Sequence, residues 1–276
     1  MIVGMPGPPN SFSLDQIRDF WTEQAKGHGQ EAAASWSDTR VMEMEVREIL
    51  PRLSDGDRVL DVGCANGFST VQFASQKRVQ IRGVDYIPEM IEHARERLVP
   101  LEGSLRGRVE FGQGDITSLE EPSGIYDKVV CIRVLINLGD WQRQQVGLSE
   151  CARVLKPGGT LLLSEATVQG WQRLNQFRRE WGLDDIPVPP FNHYLDEDKL
   201  AGELPGGLKL AEVINFASSY YIGTRVLKPL LTKALGNAVN PADPNMEWNR
   251  WFSQLPACGD YCTQKLFVLT KALTQS

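Results

Sequence analysis

The segment 58–68, Arg-Val-Leu-Asp-Val-Gly-Cys-Ala-Asn-Gly-Phe, places the tightest constraint on the fold. An apolar run ends at Asp61, and a turn containing Gly63 and Gly67 leads into a helical pattern. Glycine permits positive φ angles and a close approach of the backbone to a ligand. The first turn of a helix also leaves N–H donors free. The segment therefore predicts a buried strand, a tight loop and a helix that form one side of a ligand site.

The glycine spacing distinguishes between ligands. A dinucleotide site needs Gly-x-Gly-x-x-Gly/Ala, and the bulky Phe68 stands where the last small residue would be required. The other possible spacing is acidic-x-Gly-x-Gly-x-Gly, and it falls on Asp61, Gly63, Ala65 and Gly67. This pattern resembles motif I of class I S-adenosylmethionine (SAM) methyltransferases, with Ala65 in place of the middle glycine. The resemblance implies that these four residues and Cys64 contact the cofactor.

A second acidic residue follows at the distance that a nucleoside site requires. The predicted strand 79–84 ends at Asp85, 18 positions after Gly67. An acid about 20 residues beyond the glycine loop binds ribose hydroxyls in related folds. Tyr86 comes next and is predicted to pack on adenine together with Ile87.

Two further segments resemble the methyltransferase pattern in the right order. A short predicted strand, 108–111, leads to Asp115 and Ile116, which the resemblance places at the adenine ring. The apolar strand 126–132 leads to Arg133, placed near the methionine part of SAM, and to Asn137, placed near the transferred methyl. An Asn-Pro-Pro-Tyr-like sequence is missing there, which argues against adenine and glutamine N-methyltransferases.

The alternation of strands and helices predicts a doubly wound α/β fold. The string Arg-Val-Leu-Lys-Pro-Gly-Gly-Thr at 153–160 is typical of class I methyltransferases before the fifth strand, here 160–164. Segments 208–216 and 264–270 read as strands six and seven. The family then implies a seven-stranded, mostly parallel sheet with the order 3-2-1-4-5-7-6 and an antiparallel last strand.

The remaining segments are expected to cover the site. Residues 1–54 form a tail, expected to be disordered over 1–12, and a helical cap with helices at 14–26 and 39–53. Residues 55–276 form the SAM-binding domain, with insertions at 166–207 and 217–262. By family analogy Trp36 is a lid residue over the cofactor, and the alternative is an aromatic anchor between helix and sheet.

The insertions carry the predicted acceptor and base residues. His193 is the best base candidate because histidine titrates near neutral pH, whereas the alternative is a loop histidine bonded to backbone. Asp140, Glu165 and Asp260 are the other acids considered for this role. The mix of asparagine, tyrosine, tryptophan and histidine in the insertions suits a polyhydroxylated acceptor, whereas Arg225 and the arginines at 173, 178 and 179 are able to clamp a phosphate or carboxylate. The predicted acceptor contacts are Asn137, Asn192, Tyr194, Tyr220 and Arg225. A solvated helix face remains the alternative for the arginines.

Charge, cysteine content and hydropathy limit the kinds of partner and location that the sequence predicts. The net charge of −6 and pI near 5.3 argue against broad binding to nucleic acid or anionic membranes. Five cysteines without a disulfide spacing favour a reduced, cytoplasmic setting. Cys258 and Cys262 lack a second pair for zinc, so no metal site is predicted, although magnesium held by scattered carboxylates stays open. Residues 1–10 do not resemble a signal peptide, and no apolar stretch reaches the ~18–20 residues of a membrane helix.

These features predict a SAM-dependent methyltransferase that releases S-adenosylhomocysteine (SAH). The expected acceptor is an oxygen of a small polar molecule such as a sugar or saccharide. The alternatives are an RNA methyltransferase that uses the basic stretch 173–179, and a SAM-binding protein without methyl transfer. The oligomeric state is left open.

Overall fold

The computed structural model describes residues 12–101, 103–236 and 243–273. The expected disorder of residues 1–12 therefore lies outside the described residues, except at Phe12. The Phe12 ring lies 6.4 Å from the ring of Phe191, measured between centroids.

Within the described residues, seven strands form one sheet with the order β3-β2-β1-β4-β5-β7-β6. Neighbouring strands from β3 to β5 pair in parallel, and β7 is antiparallel to both β5 and β6. The predicted fold class and strand order are thus confirmed. The strands are β1 Arg58–Val62, β2 Gln80–Asp85, β3 Arg108–Gln113, β4 Tyr126–Ile132, β5 Leu155–Ala166, β6 Leu208–Ile214 and β7 Gln264–Lys271.

The helices cover both faces of this sheet, and local signals set many of their starts. Ser13 caps the first helix in a capping box, in which its Oγ accepts from the Gln16 backbone N–H at 3.3 Å. The α-helices are α1 Leu14–His28, α2 Thr39–Ile49, α3 Phe68–Gln76, α4 Pro88–Leu98, α5 Trp141–Val154, α6 Val168–Glu180, α7 Glu197–Gly202, α8 Ser218–Tyr221, α9 Lys228–Leu235 and α10 Glu247–Phe252. A π-helical segment, Ile222–Leu227, joins α8 to α9.

The central strands are buried on both faces, and side chains alternate between two apolar layers. Val59, Val130 and Leu162 face one layer, which also contains residues of α2 and of the insertion 217–262. Their neighbours in sequence, such as Leu60 and Val129, face the other layer with α5. This double burial explains why these strands read as continuous apolar runs.

Two predicted boundaries differ from the structure by four residues or more, and the other differences are of one or two residues. Helix α2 ends at Ile49 rather than 53, because Pro51 follows and the chain tightens into a 3₁₀ turn. Strand β5 begins at Leu155 rather than 160, directly after α5. The Lys-Pro-Gly-Gly sequence forms an irregularity within β5. The register between β4 and β5 shifts there, between Tyr126 and Lys128, and Gly158 has a positive φ of 76°.

The described residues contain no helix with both the length and the apolar character to span a bilayer. The cysteines Cys64, Cys131, Cys151, Cys258 and Cys262 are free thiols. The boundary at 54 and 55 and the cytoplasmic location stay predictions.

Candidate active site

A cavity of about 440 Å³ opens at the carboxyl edge of the sheet, beneath α1. Its volume lies within the ~300–1,000 Å³ that is usual for small-molecule sites. In a doubly wound sheet this edge, where the strand order reverses between β1 and β4, is the expected ligand crevice. Ten predicted cofactor residues line it: Trp36, Asp61, Gly63, Cys64, Ala65, Asp85, Tyr86, Asp115, Ile116 and Arg133.

The loop between β1 and α3 forms the floor on one side. Asp61 is buried and its Oδ2 accepts from the Thr70 hydroxyl at 2.6 Å. Burial raises the pKa of Asp61 to about 7, against the opposing effect of the Thr70 hydrogen bond. Gly63 and Ala65 have φ angles of 71° and 47°, so the chain turns back sharply above β1.

Gly67 does not line the cavity but fixes how α3 starts. Its φ is 75°, and an added Cβ would lie 2.7 Å from Phe111 Cζ and 3.2 Å from Ala94 Cβ. We expect Gly67→Ala to lower the free energy of unfolding by about 2–4 kcal/mol, because strain in φ and overpacking add. Urea unfolding measures this change.

The matched control is Gly124→Ala. Gly124 has a similar φ of 69°, and an added Cβ would meet no described atom within 4 Å. This variant therefore reports the strain alone. An equal loss of stability in the two variants would show that contact with Phe111 does not matter.

Asp85, at the end of β2, links two loops of the site. Its Oδ2 accepts from the Ala65 N–H at 3.0 Å and its Oδ1 from the Ile87 N–H at 2.9 Å. Burial raises its pKa to about 6, although the backbone hydrogen bonds oppose the shift. Tyr86 follows in the lining, and burial raises the pKa of its hydroxyl.

Asp115 and Ile116 form the next part of the wall. The Asp115 carboxylate is exposed and accepts from the Thr117 N–H and hydroxyl, both at 2.7 Å. Ile116 is 5% exposed and lies in the core layer of α5. The wall here thus offers an apolar surface with one carboxylate beside it.

Arg133 lies just beyond β4 in a left-handed conformation, with φ 56°. Its guanidinium stacks over the Trp36 ring at 4.8 Å and pairs with the buried carboxylate of Glu45. Glu45 also accepts from the Ser164 hydroxyl at 2.7 Å and from the Gln264 amide at 3.0 Å. Glu45 was not predicted as a site residue, although its position among the buried residues of α2, such as Met44 and Ile49, is a signal for it.

Asn137 connects three elements above the cavity. Its Oδ1 accepts from the Trp21 indole of α1 at 3.3 Å and from the Asn192 amide at 3.2 Å. Its Nδ2 donates to the Arg133 carbonyl at 2.8 Å. Trp21 was not predicted, and its contact joins the N-terminal cap to the segment after β4.

An aromatic cluster closes the same side. The rings of Phe20 and Phe191 stack with centroids 4.3 Å apart, and the Trp21 ring meets Phe191 edge-on at 5.9 Å. These contacts attach α1 to the insertion 166–207. Tyr194 and Asn192, two of the predicted acceptor residues, line the cavity beside this cluster.

His193 lies next to the cavity lining but is not part of it. The backbone N–H of His193 donates to the Ile136 carbonyl at 2.6 Å, and its backbone carbonyl accepts from the Gln144 side-chain amide at 2.8 Å. Burial lowers the pKa of its imidazole. The structure thus fixes the backbone of His193, and its role as a base stays a prediction.

Tyr220 and Arg225 also lie outside the lining. The Tyr220 hydroxyl donates to Asp38 Oδ1 at 2.8 Å, and the Arg225 guanidinium pairs with the other Asp38 oxygen. Asp38 caps the N-terminus of α2. In this arrangement both residues attach the insertion 217–262 to the cap instead of facing the cavity.

The other acids considered as bases have structural partners. Asp140 caps α5 by accepting from the Arg143 N–H at 2.8 Å. The buried Glu165 accepts from the N–H groups of Val134 and Leu135 at 2.8 and 2.7 Å, and burial raises its pKa to about 8. Asp260 pairs with Arg173 and Lys265. Among the described residues, no group of three or more histidine, cysteine or acidic side chains is arranged to hold a metal.

Comparison with known proteins gives a consistent assignment. Residues 59–159 match the family model of a methyltransferase domain. The 27-O-demethylrifamycin SV methyltransferase of Amycolatopsis mediterranei (strain S699) is 30% identical over 154 residues, which cover 55% of this chain and 54% of that enzyme. The chain thus spans about half the length of this curated relative.

Solved structures share the fold across nearly the whole chain. Magnesium protoporphyrin IX methyltransferase from Synechocystis PCC 6803, determined with bound SAH, superposes with a TM-score of 0.61 at 15% identity, covering 94% of this chain and 100% of that one. The [4+2]-cyclase SpnF superposes with a TM-score of 0.59 at 19% identity, covering 98% and 100%. At these identities the likeness concerns the fold alone. The match over residues 59–159 shows similarity to the methyltransferase-domain family in that part of the chain, and the observed strand order is that of the class I, Rossmann-like methyltransferase fold.

Proposed function

We propose that this protein binds SAM and transfers its methyl group to an oxygen of a small molecule. The observation that carries the proposal is the Asp85 carboxylate in the cavity wall, fixed by Ala65 and Ile87 beside the glycine-bearing loop. A carboxylate held in this way matches a ribose with two neighbouring hydroxyls.

The other lining groups fit the rest of SAM. Ile116 and Tyr86 provide surfaces for the adenine ring, and Asp115 supplies an acceptor for its amine. Arg133 supplies a cation for the methionine carboxylate. Trp36 stacks on that guanidinium and acts as the lid residue of the cap.

Bound SAM supplies an electrophilic methyl group, and the chain supplies alignment and exclusion of water. In-line displacement depends strongly on holding the reacting atoms about 3 Å apart in the right direction. The hydrogen bonds of Asn137 to Trp21 and Asn192 hold the cap and the insertion 166–207 over this space. Proton removal from the acceptor by His193 remains part of the proposal.

The relative in Amycolatopsis mediterranei supports oxygen as the acceptor, since its name describes an O-demethylated substrate. The RNA alternative draws no support from the basic stretch. Arg173 pairs with Glu197 and Asp260, Arg179 pairs with Asp185, and Arg178 donates to the backbone carbonyls of Asp184 and Arg225, so each of these guanidinium groups already has partners within the protein.

Calorimetry with SAM and SAH, followed by a turnover assay for SAH release, tests this function. We expect both nucleosides to bind, and SAH to accumulate only when a small hydroxylated acceptor is added. Failure to bind either nucleoside would contradict the proposed cofactor. Release with RNA alone, sensitive to salt, would favour the second function.

A further inference from the structure

The wall of the cavity that is formed by α1, the segment after β4 and the insertion 166–207 is largely apolar. It includes Leu14, Ile17, Trp21, Ile136, Leu138 and Phe191. We propose that the acceptor is a largely apolar, ring-bearing alcohol or phenol whose reacting hydroxyl meets Tyr194. This inference rests on the proposed methyl transfer and replaces the saccharide expected from the sequence.

The charges of this wall lie at its rim or are already paired. Asp15 and Arg18 are exposed on α1. Arg143 pairs with Asp140 at 3.1 Å and its side chain is 51% exposed. A phosphorylated acceptor or a nucleotide sugar needs a cation that faces it within the cavity. The described lining places no unpaired, buried cation on this side.

The amides of the wall are also engaged with protein groups. Asn137 accepts from Trp21 and Asn192 and donates to Arg133. A sugar would bring several hydroxyls into this space, and each one left without a partner lowers affinity about tenfold or more. Many buried hydroxyls therefore suit the wall poorly, whereas one or two can be satisfied.

Tyr194 supplies the group for a single hydroxyl. It lines the cavity, and its hydroxyl makes no hydrogen bond to another described residue. Burial raises its pKa to about 12, so the phenol is neutral near pH 7 and retains its proton as a donor. A donor of this kind orients one acceptor oxygen and leaves the remaining wall free for apolar contacts.

The aromatic cluster provides a surface for the ring of the acceptor. Phe191 lines the cavity, and its ring is held by the stack on Phe20 at 4.3 Å and by the edge of Trp21 at 5.9 Å. A rigid aromatic face favours a flat apolar partner, in offset or edge-on packing. It also loses little conformational entropy on binding.

Binding of 2-naphthol, naphthalene and methyl β-glucoside to the SAH-saturated protein tests this inference. We expect 2-naphthol to bind and methyl β-glucoside neither to bind nor to compete. Phe191→Ala should weaken 2-naphthol binding about tenfold with unchanged SAH affinity. Trp181→Ala is the matched control, because Trp181 is 60% exposed and lies outside the lining.

Tyr194→Phe separates the hydrogen bond from packing. We expect 2-naphthol binding to weaken about three- to tenfold, with naphthalene binding unchanged. Three results would overturn the inference: no binding of 2-naphthol, displacement by methyl β-glucoside, or equal effects of Phe191→Ala and Trp181→Ala. If the wild-type protein does not bind SAH, the proposed function itself is contradicted, which is a different result from the three above.

Discussion

Asp85→Ala is expected to weaken SAH binding by at least about 100-fold. Hydrogen bonds to a charged group contribute about 1.5–3 kcal/mol each, and the proposed site makes two to the ribose. The substitution also frees the N–H groups of Ala65 and Ile87, which shape the loops on both sides of the cofactor. Calorimetry with SAH measures the loss directly.

A matched acid separates this effect from a general change in charge. Asp127→Ala removes a half-buried carboxylate in β4 that pairs with Lys156 and lies outside the cavity lining. Its SAH affinity should stay within about twofold of wild type. Similar losses in the two variants, or wild-type affinity in Asp85→Ala, would remove Asp85 from the cofactor site.

The pH dependence gives a second readout of Asp85. With its pKa raised to about 6, the carboxylate is mostly ionised at pH 7.5 and mostly protonated at pH 5. Only the ionised form accepts both ribose hydroxyls, so SAH affinity should fall as the pH drops through 6. The contribution of Asp85 to the free energy of unfolding changes in the opposite direction. Because its pKa is raised in the native state, the native state binds more protons than the unfolded state, so this contribution increases as the pH falls through 6.

The loops proposed to hold the cofactor were predictable as part of the cavity lining because their residues lie close together along the chain. Gly63 and Ala65 belong to one motif, and Asp85 follows at the spacing set by one helix and one strand. The strands β1 and β4 were equally readable, since burial on both faces leaves continuous apolar runs. Local pattern and global fold agree in this part of the molecule.

The acceptor half depends on contacts between distant segments, and the sequence does not show them. Trp21 and Asn137 are 116 positions apart, and Tyr220 and Asp38 are 182 apart. The polar residues of the insertions suggested a polyhydroxylated acceptor. In the structure several of these groups bind other protein groups, so composition alone does not show which of them a ligand would meet.

The pairing of Arg133 with Glu45 crosses 88 positions and leads to the second large effect. The Glu45 side chain is 1% exposed, so replacing Arg133 by Met leaves a buried carboxylate without its cation. Breaking a buried pair in this way costs about 3–5 kcal/mol. We expect Arg133→Met to lower the free energy of unfolding by about 3 kcal/mol, measured in urea.

The double variant Arg133→Met/Glu45→Gln distinguishes an ion pair from simple packing. Gln keeps the size of Glu45 and its bonds to Ser164 and Gln264 within reach, but it carries no charge. The second substitution should therefore recover at least half of the lost stability, because the unpaired charge is gone. Additive losses would show that charge is not the cause.

Ligand affinity then tells whether the pair also acts on the cofactor. Arg133→Met and the double variant should both bind SAH at least about tenfold more weakly, since the proposed cation for the methionine carboxylate is missing in each. Binding of 5′-methylthioadenosine, which lacks that carboxylate, should be unchanged. If the double variant recovers stability but still binds SAH weakly, the two roles of Arg133 are separate. If SAH and 5′-methylthioadenosine lose affinity equally, Arg133 acts through the shape of the site and does not bind the carboxylate.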